Sequence, residues 1–508
     1  MVLVFSPLSA FYYALWFVCE SCFQYLFCRL PIYCLDKFID PALTSLFVLY
    51  LQELFVAKTP KTLQQRMSIV ALTWPIFIET LLQSLLGISD IFMLSHYSDN
   101  AVAAVGLTTQ LMFFMMVMSM MVSTGASILI SQNNGAGQSQ QAVDIGVASI
   151  ALSLLLALIM GSSMFFGAEG IIGLFALEHD VAGFGYDYLV ICGSLSIGLV
   201  MNIAFAAILR SYGFTRSAML VTSSTGLMNV IGNYIALYSP FDLPVYGVTG
   251  VAISTVTSQI IGAVIMLLVI RHKKIPLPLH RLKLLPRSTY WRVMRIGLLN
   301  AGEMLSYNVA QMTIIYFISQ MGTLSLTAYT YGLNISRFIY CFAVALGQAT
   351  QIQTGYYVGK QWFDEITTRV QRYCLVGFVA SLAIVLIFYW QRFTIIGWLS
   401  ENEEVIQLTA VLLAGSIALE TGRVFNLVII SALKGAGDVA FPVWVGLFSM
   451  WGIGVLFAWL FGLHLGYGVL AAWLAVAADE WVRGLIMVYR WRSGRWQRFN
   501  RIPTVNSL

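Results

Sequence analysis

The sequence predicts an all-α membrane protein with twelve core transmembrane helices in two pseudo-symmetric six-helix lobes, preceded by an apolar N-terminal extension. Three observations lead to this prediction: the composition, the apolar segments and a repeat between the halves. Only 10% of the 508 residues are charged and 59% are hydrophobic, with a mean hydropathy of +0.81. Soluble domains carry about 25% charged residues, so this surface must face lipid. Long Leu, Ile, Val and Met runs favour helices over a β-barrel, whose strands would alternate polar and apolar residues.

Twelve apolar segments are long enough to cross a bilayer, since one crossing needs about 20 apolar residues. They lie near 68–95, 101–131, 143–167, 184–209, 218–238, 245–270, 294–320, 324–352, 370–390, 404–432, 440–463 and 466–489. The loops between them sort by charge. Basic residues, among them Arg210 and Lys434, concentrate in alternate loops that are expected to be cytoplasmic, whereas the opposite loops hold acidic residues with Arg392 as the main exception. The positive-inside rule therefore predicts a cytoplasmic C-terminus.

The chain divides at a basic, proline-containing stretch near its middle. We predict an apolar extension at 1–57, a six-helix lobe at 58–270, a cytoplasmic linker at 271–293, a second lobe at 294–490 and a basic cytoplasmic tail at 491–508. The linker's charge is explained by membrane topology and contact with anionic lipid, without nucleic acid. The extension lacks the features of a signal peptide, so we expect one more helix or an interfacial hairpin. Its Cys19 and Cys22 have no histidine nearby and predict no metal site.

The two lobes repeat at a constant spacing. Glu303 follows Glu79 by 224 positions, and Gly437 follows Gly213 by the same number. Because each lobe has an even number of helices, the lobes share one topology and are related by an axis along the membrane normal. This architecture is typical of an alternating-access carrier with a central cleft. The alternative is a duplicated scaffold with no role in transport.

Ionisable residues within membrane segments are costly and are therefore the functional candidates. In the first lobe, Glu79 and Asp90 are eleven residues apart, about three helical turns, so we expect both to face one cavity. Amides accumulate in the same lobe at Asn202, Asn229 and Asn233. A carboxylate among neutral donors and acceptors can take up and release a proton, and the same oxygens can hold Na⁺. Taken singly, each amide is also explained by interhelical hydrogen bonding.

The second lobe contains charges of both signs. Glu303 has no partner nearby in sequence and is a further candidate coupling residue. Glu420 and Arg423 are three positions apart, which allows an intrahelical ion pair as well as a working site. Pro75 lies inside the first helix, fifteen residues before Asp90, and permits a bend there. A bending helix that carries the titrating aspartate is a plausible coupling device.

Over residues 66–490 the chain resembles the multidrug and toxic compound extrusion (MATE) transporters. No single motif decides this, but their order and repeat spacing together are specific. The motifs are PIFIETLLQSLLGISD at 75–90, AVAAVGL at 101–107, QNNGAGQ at 132–138, ILRSYGFTR at 208–216, NVIGN at 229–233 and ALKGAGD at 432–438.

The resemblance implies a V-shaped carrier that exports amphipathic, often cationic compounds in exchange for H⁺ or Na⁺. Asp90 falls on the first-helix aspartate that the family uses for cation coupling, and Asn229 on its usual asparagine. Asn233 departs from the aspartate of many relatives. Glu303 matches the seventh-helix glutamate of the Na⁺-coupled branch, but Arg423 stands where that branch has a tenth-helix aspartate. The resemblance therefore favours protons at Asp90 over Na⁺ in the second lobe.

Three other classes of membrane protein share some of these features. A flippase of lipid-linked sugars would have similar lobes but a strongly basic cavity, whereas the basic residues at mid-membrane are expected to be only Arg337 and Arg423. A membrane enzyme would need a Ser/His/Asp, His-Glu-x-x-His or Gly-rich phosphate motif, and none lies in the helices. A channel is compatible with the repeat, but one chain does not define a pore ring.

The sequence thus predicts a secondary transporter that is not an enzyme and resides in a bacterial inner membrane. We expect small-molecule substrates and membrane lipids as partners, no nucleic acid, and a monomeric state. No metal site and no cofactor beyond the coupling ion, H⁺ or less favourably Na⁺, are expected. The transported compound does not follow from the sequence.

Overall fold

A computed structural model describes residues 62–175, 177–238, 244–278, 280–281 and 285–499. Twelve long helices make up most of this part of the chain, so the predicted fold is confirmed. They are α1 (Ile69–Ser95), α2 (Asp99–Gly135), α3 (Ser139–Gly173), α4 (His179–Gly193 and Ile197–Ser211), α5 (Thr215–Tyr238), α6 (Gly247–His272), α7 (Arg287–Ser319), α8 (Thr323–Gly359), α9 (Phe363–Trp390), α10 (Glu403–Gly435), α11 (Ala440–His464) and α12 (Gly468–Arg492). Residues 1–57, for which an extra helix or hairpin was expected, lie outside the described residues.

Eight of these helices, counting α4 as one bent span, are long and apolar enough to cross a membrane. The other four, α5, α7, α8 and α12, contain more polar residues, many of which line the cavities described below. The two parts of α4 meet at 46°. Helix α7 begins at Arg287, inside the stretch 271–293 that was expected to be linker, because Pro286 precedes its first turn and has no amide hydrogen to satisfy.

Four helix ends repeat between the lobes. After α2, α4, α8 and α10 the chain turns through a residue with positive φ: Gly137 (75°), Gly213 (78°), Gln361 (60°) and Gly437 (97°). In each turn the next amide donates to the carbonyl five positions earlier, at 2.9–3.1 Å. This caps the last orphan carbonyls of the helix. Glycine adopts positive φ at little cost, which explains three of the four residues.

The lobes pack against each other at one end of the bundle, called here the basic end because it carries Arg216, Arg271, Lys360 and Arg490. Helices α2 and α8 touch backbone to backbone. A Cβ on Gly135 would collide with the carbonyl oxygen of Tyr356, and a Cβ on Gly359 with that of Gln132. Gly359 follows Gly135 by 224 positions, and Tyr356 follows Gln132 by the same number. The two contacts are therefore reciprocal, because each lobe contributes a glycine and a carbonyl oxygen at equivalent positions.

Helices α2 and α7 make a second close crossing between the lobes. A Cβ on Gly125 would collide with the Val293 carbonyl oxygen, and a Cβ on Gly297 with that of Met121. The corresponding crossing of α1 on α8 buries Leu72 and Ile76 in a hydrophobic cluster with residues of α8 and α10. The first helix of each lobe therefore packs on the other lobe.

Pro75 is accommodated without interrupting α1. Proline has no amide hydrogen, so the carbonyl of Ala71, four residues earlier, lacks its helical donor. The hydroxyl of Thr215, at the start of α5, donates to this carbonyl at 2.8 Å. The gap in the hydrogen-bond ladder is thereby filled from a neighbouring helix.

Candidate functional site

The first lobe contains a polar cavity of about 220 Å³ around Asp90. Gln83, Gly87 and Asp90 come from α1, and α4, α5 and α6 contribute the rest of the lining: Asn202, Thr222, Thr225, Gly226 and Gln259. Asp90 and Asn202 are therefore brought together, as the sequence predicts. Residues from four helices meet here because each has its polar side chains on the face towards the lobe's interior.

Asp90 is half-buried and is held by amides. The Asn233 side chain donates to its Oδ1 at 3.0 Å. Asn229, one turn away on α5, donates to the Thr255 hydroxyl of α6 at 3.0 Å. Tyr188, next to the bend of α4, forms a hydrogen bond with Thr255 and interacts electrostatically with Asp90; sequence reasoning missed it because a lone tyrosine in a membrane segment carries no distinguishing signal. No cation contacts the carboxylate among the described residues.

Glu79 does not share this cavity, which corrects the expectation that it and Asp90 face one space. Its side chain is buried and forms an ion pair with Arg210, at 2.5 Å between Oε1 and Nη2. Arg210 lies near the end of α4, where the sequence suggested a cytoplasmic position. The short distance and the burial show that Glu79 balances a cation at this place in the fold.

Glu303 has the same arrangement in the second lobe. Its Oε2 lies 2.5 Å from Nζ of Lys434, at the end of α10. Both ion pairs span 131 positions along the chain, and their members differ by the repeat spacing of 224. The pairs Glu79–Arg210 and Glu303–Lys434 are therefore equivalent. The repeat was the signal that could have identified the partners, since Lys434 stands in the second lobe where Arg210 stands in the first.

The pair Glu420–Arg423 belongs to a larger buried network between α10 and α12. Arg423 contacts Glu420 at 2.8 Å and Glu480 at 3.5 Å. Arg483 contacts Asp479 at 2.7 Å and Glu480 at 3.2 Å. Within the described residues, no three His, Cys, Asp or Glu side chains converge in a way that could hold a metal ion. The three carboxylates are held by the two guanidinium groups.

The polar interiors of the lobes correspond to each other. Asn202 donates to Gln259 Oε1 at 2.8 Å, and Asn426 donates to Glu480 Oε2 at 2.6 Å. Asn426 follows Asn202 by 224 positions. The motif Tyr-Gly-Val that opens α6 recurs at the start of α12, 221 positions later, which aligns Glu480 with Gln259. One lobe thus keeps a cavity whose lining has Asp90 as its single ionisable residue, where the other lobe contains ion pairs.

A larger cavity of about 560 Å³ lies between the lobes. Apolar side chains, including Met120, Met304 and Met450, form much of its wall together with Tyr307 and Tyr340. Its charged lining comprises Arg210, Glu303, Arg423, Lys434, Glu480 and Arg483. The cavity has the size of sites that bind drug-like molecules, about 300–1,000 Å³.

The set of basic residues in this lining differs from Arg337 and Arg423, the two that the sequence predicts at mid-membrane. Arg337 is exposed on α8 and does not line the cavity. Arg210, Lys434 and Arg483 do line it, although the sequence had placed the first two at the cytoplasmic surface. Each is stabilised inside the protein by the carboxylate that it contacts, which a count of loop charges does not reveal.

Comparison with known proteins agrees with this architecture. The MatE family model matches residues 75–235 and 301–460, one stretch in each lobe and together more than half of the chain. The chain belongs to the MatE family. The resemblance to MATE efflux transporters that the sequence motifs predict is confirmed.

Relatives of this MatE chain include transporters from several bacteria. An uncharacterized transporter, YisQ, of Bacillus subtilis is 38% identical over 440 residues, covering 86% of this chain and 96% of YisQ. A probable multidrug resistance protein, NorM, of Thermotoga maritima is 24% identical, covering 85% of this chain and 93% of NorM.

Solved structures show the same fold at lower identity. A multidrug resistance MATE family transporter in an outward-facing conformation superposes with a TM-score of 0.79 at 19% identity, covering 88% of this chain and all of the other. A transporter from Pyrococcus furiosus, described as having a binding pocket of reverse polarity, gives the same values. These likenesses confirm the two-lobe MatE fold.

Proposed function

We propose that this MatE protein exports amphipathic small molecules by alternating access, in antiport with H⁺, and that Asp90 is its proton-binding group. One observation carries the proposal. Asp90 is contacted by an amide, whereas Glu79 and Glu303 are each neutralised by a cation. A carboxylate without a cationic partner in a confined polar cavity can change its protonation state during a transport cycle, while a salt-bridged carboxylate stays ionised.

Protons suit this site better than Na⁺. Na⁺ would need several oxygen ligands, and the side chain nearest to Asp90, Asn233, directs its amide nitrogen at the carboxylate. In the second lobe Arg423 supplies a fixed positive charge beside Glu420 and Glu480. The guanidinium groups of Arg423 and Arg483 already occupy the carboxylates that a Na⁺ ion would need as ligands.

The packing supports an alternating-access cycle. The lobes are joined at the basic end, which we place in the cytoplasm by the positive-inside rule, together with the C-terminus. The described conformation is then closed to the cytoplasm. We further propose that the protein works as a monomer in the bacterial cytoplasmic membrane, with no cofactor beyond the coupling ion.

Flux in liposomes tests the proposal. Purified protein is reconstituted and the movement of a fluorescent amphiphile is followed under an imposed pH gradient and then under a Na⁺ gradient. We expect transport with the pH gradient, and we expect Asp90→Asn to reduce it to the level of protein-free liposomes. Asp144→Asn is the matched control, because this carboxylate pairs with Arg281 outside both cavities.

Two results would contradict the proposal. Transport driven by Na⁺ alone would reject proton coupling, and an active Asp90→Asn variant would reject the assigned residue. A second candidate function, movement of a phosphate-bearing lipid, is favoured by the four basic residues in the central cavity. It predicts that a labelled anionic phospholipid crosses the bilayer with no imposed gradient.

A further inference from the structure

The central cavity presents more positive than negative groups to a ligand. Its lining contains four basic side chains but only two carboxylates, Glu303 and Glu480. The remaining carboxylates of the ion pairs, those of Glu79, Glu420 and Asp479, are not part of the lining. The charges of the wall are therefore arranged in two layers.

The exposure of the paired side chains shows which layer is in front. Arg210 is 21% exposed and its partner Glu79 4%. Arg423 is 10% exposed and Glu420 1%, and Arg483 is 7% exposed and Asp479 3%. In all three pairs the guanidinium lies nearer to the open space. The carboxylates behind reduce the cost of burying these cations, but they are too deep to contact a ligand.

The chemistry of the front layer suits an oxyanion. Three of its four cations are arginines, and each arginine contacts its carboxylates through only part of its guanidinium group. Arginine offers five N–H groups in a planar arrangement that matches a carboxylate, sulfonate or phosphate. Methionines and tyrosines on other parts of the wall fit an apolar or aromatic body.

From this geometry we infer that the central cavity takes amphipathic molecules with an acidic group, which contacts Arg210, Lys434, Arg423 and Arg483, in preference to lipophilic cations. The inference rests on the proposed function, because it assumes that the central cavity is the substrate site. The family resemblance implied cationic compounds, whereas the lining of the central cavity favours compounds of the opposite charge.

Binding of two matched dyes tests the inference without requiring transport. Sulforhodamine B carries two sulfonates, and rhodamine 6G is a cation with the same xanthene ring system. Fluorescence anisotropy with the purified protein in detergent gives both affinities. We expect sulforhodamine B to bind at least about ten-fold more tightly, a difference of about 1.4 kcal/mol. Equal binding, or tighter binding of rhodamine 6G, would overturn the inference.

A double variant tests the assigned groups. E79Q/R210M removes one lining cation together with the buried carboxylate behind it, so that no unpaired charge is left in the wall. We expect the affinity for sulforhodamine B to fall about ten-fold with that for rhodamine 6G unchanged. The control E365Q/R369M removes an ion pair of α9 that lies outside the cavity, and it should change neither affinity. If the double variant binds sulforhodamine B as the wild type does, the assignment of Arg210 is wrong.

Failure of the inference differs from failure of the proposed function. In liposomes, preferential binding of sulforhodamine B without transport under a pH gradient would support the cavity's selectivity and reject proton-driven export. Transport of rhodamine 6G but not of sulforhodamine B would support export and overturn the selectivity. A labelled phosphatidic acid added to the same liposomes distinguishes a lipid source of the acidic group from a soluble one, and either source supports the inference over lipophilic cations.

Discussion

At the scale of single residues, one helix shows how the partner decides the role of a carboxylate. Glu79 and Asp90 lie on α1, three turns apart, and both are inside a membrane-spanning helix. Arg210 contacts Glu79, and Asn233 contacts Asp90. The first arrangement holds a permanent charge, whereas the second leaves a group whose charge can change. Position in the membrane therefore identifies candidates, and contacts separate them.

Gln361 is a residue whose backbone conformation does not suit its side chain. It has φ of 60° in the turn after α8, and its repeat equivalent after α2 is Gly137 at 75°. A side chain at positive φ costs about 1 kcal/mol relative to glycine. We expect Gln361→Gly to raise the unfolding temperature in detergent by a few degrees. The exposed side chain of Gln361 makes a loss of packing too small to reverse this effect.

The reciprocal substitution is the control for that prediction. Gly137→Gln puts a side chain at the same turn of the first lobe and should lower the unfolding temperature by a similar amount. If both variants melt at the wild-type temperature, the backbone strain assigned to this turn is absent.

The sequence predicted Asp90 and Asn202 of the Asp90 cavity, but it did not predict Gln83, Thr222 or Thr225 of the same lining, nor the ion pairs. Asn229 and Asn233 lie one turn apart on the helix, so their shared face could be derived from spacing alone. Arg210 and Lys434 contact carboxylates 131 positions away, and such contacts depend on how helices pack. A basic residue near a helix end was consequently assigned to the surface, although its side chain extends inward to the cavity.

At the scale of helices, α1 and α5 share a hydrogen bond that the second lobe has replaced. Thr215 donates to the carbonyl that Pro75 leaves without a donor. The positions 224 residues later are Leu299 and Val439, and these two side chains pack in one hydrophobic cluster. The second lobe therefore lacks both the proline and the threonine that compensates for it. This correspondence indicates that Pro75 and Thr215 act as a unit.

Thr215→Val tests this unit. The substitution keeps the shape of the side chain but leaves the Ala71 carbonyl unsatisfied, which we expect to cost about 1–3 kcal/mol of stability. P75L/T215V restores an amide hydrogen within α1 and should recover most of the loss. Thermal unfolding of the two single variants and the double variant in detergent measures the coupling. Purely additive effects would show that the residues are independent.

The helix pattern of the fold could be predicted closely, since apolar runs report lipid contact directly. Helix ends were less accurate: α3 was expected over 143–167 and extends from Ser139 to Gly173. Its extra residues at the start include Gln140, whose side chain donates to Asp144 one turn later at 3.1 Å. Polar residues at the membrane surface continue a helix without adding hydropathy. Hydropathy alone therefore underestimates helix length.

At the scale of the whole molecule, the basic end is closed by backbone contacts between the lobes. Gly135 and Gly359 permit α2 and α8 to touch, and the Gln132 side chain donates to the Gly435 carbonyl at 2.9 Å. Contacts of this kind have no room for a methyl group. A methyl group added at Gly135 in the first lobe or at Gly359 in the second is therefore expected to destabilise the closed state.

G135A/G359A should separate the lobes at the basic end. Each methyl group collides with a carbonyl of the opposite helix, so we expect a longer distance between spin labels at the exposed positions Gln141 and Thr368, and slower transport. The labels are placed on a protein whose seven native cysteines have been replaced. Gly173→Ala, with no atom within 4 Å of the new methyl group, is the control. Unchanged distances in the double variant would show that these glycines do not hold the lobes together.

The reciprocal contacts between α2 and α8 also bear on the ancestry of the chain. Gly135 touches Tyr356, and their counterparts in the other lobe, Gly359 and Gln132, touch each other in the same way. An interface with this symmetry is isologous, the kind that joins identical subunits in a homodimer. Fusion of two such subunits preserves that interface and frees the rest of each copy to diverge. One descendant keeps an open aspartate cavity suited to protons, and the other has filled the equivalent space with arginines. Gene fusion would thus have allowed energy coupling to become confined to one half, while both halves continue to line the central cavity.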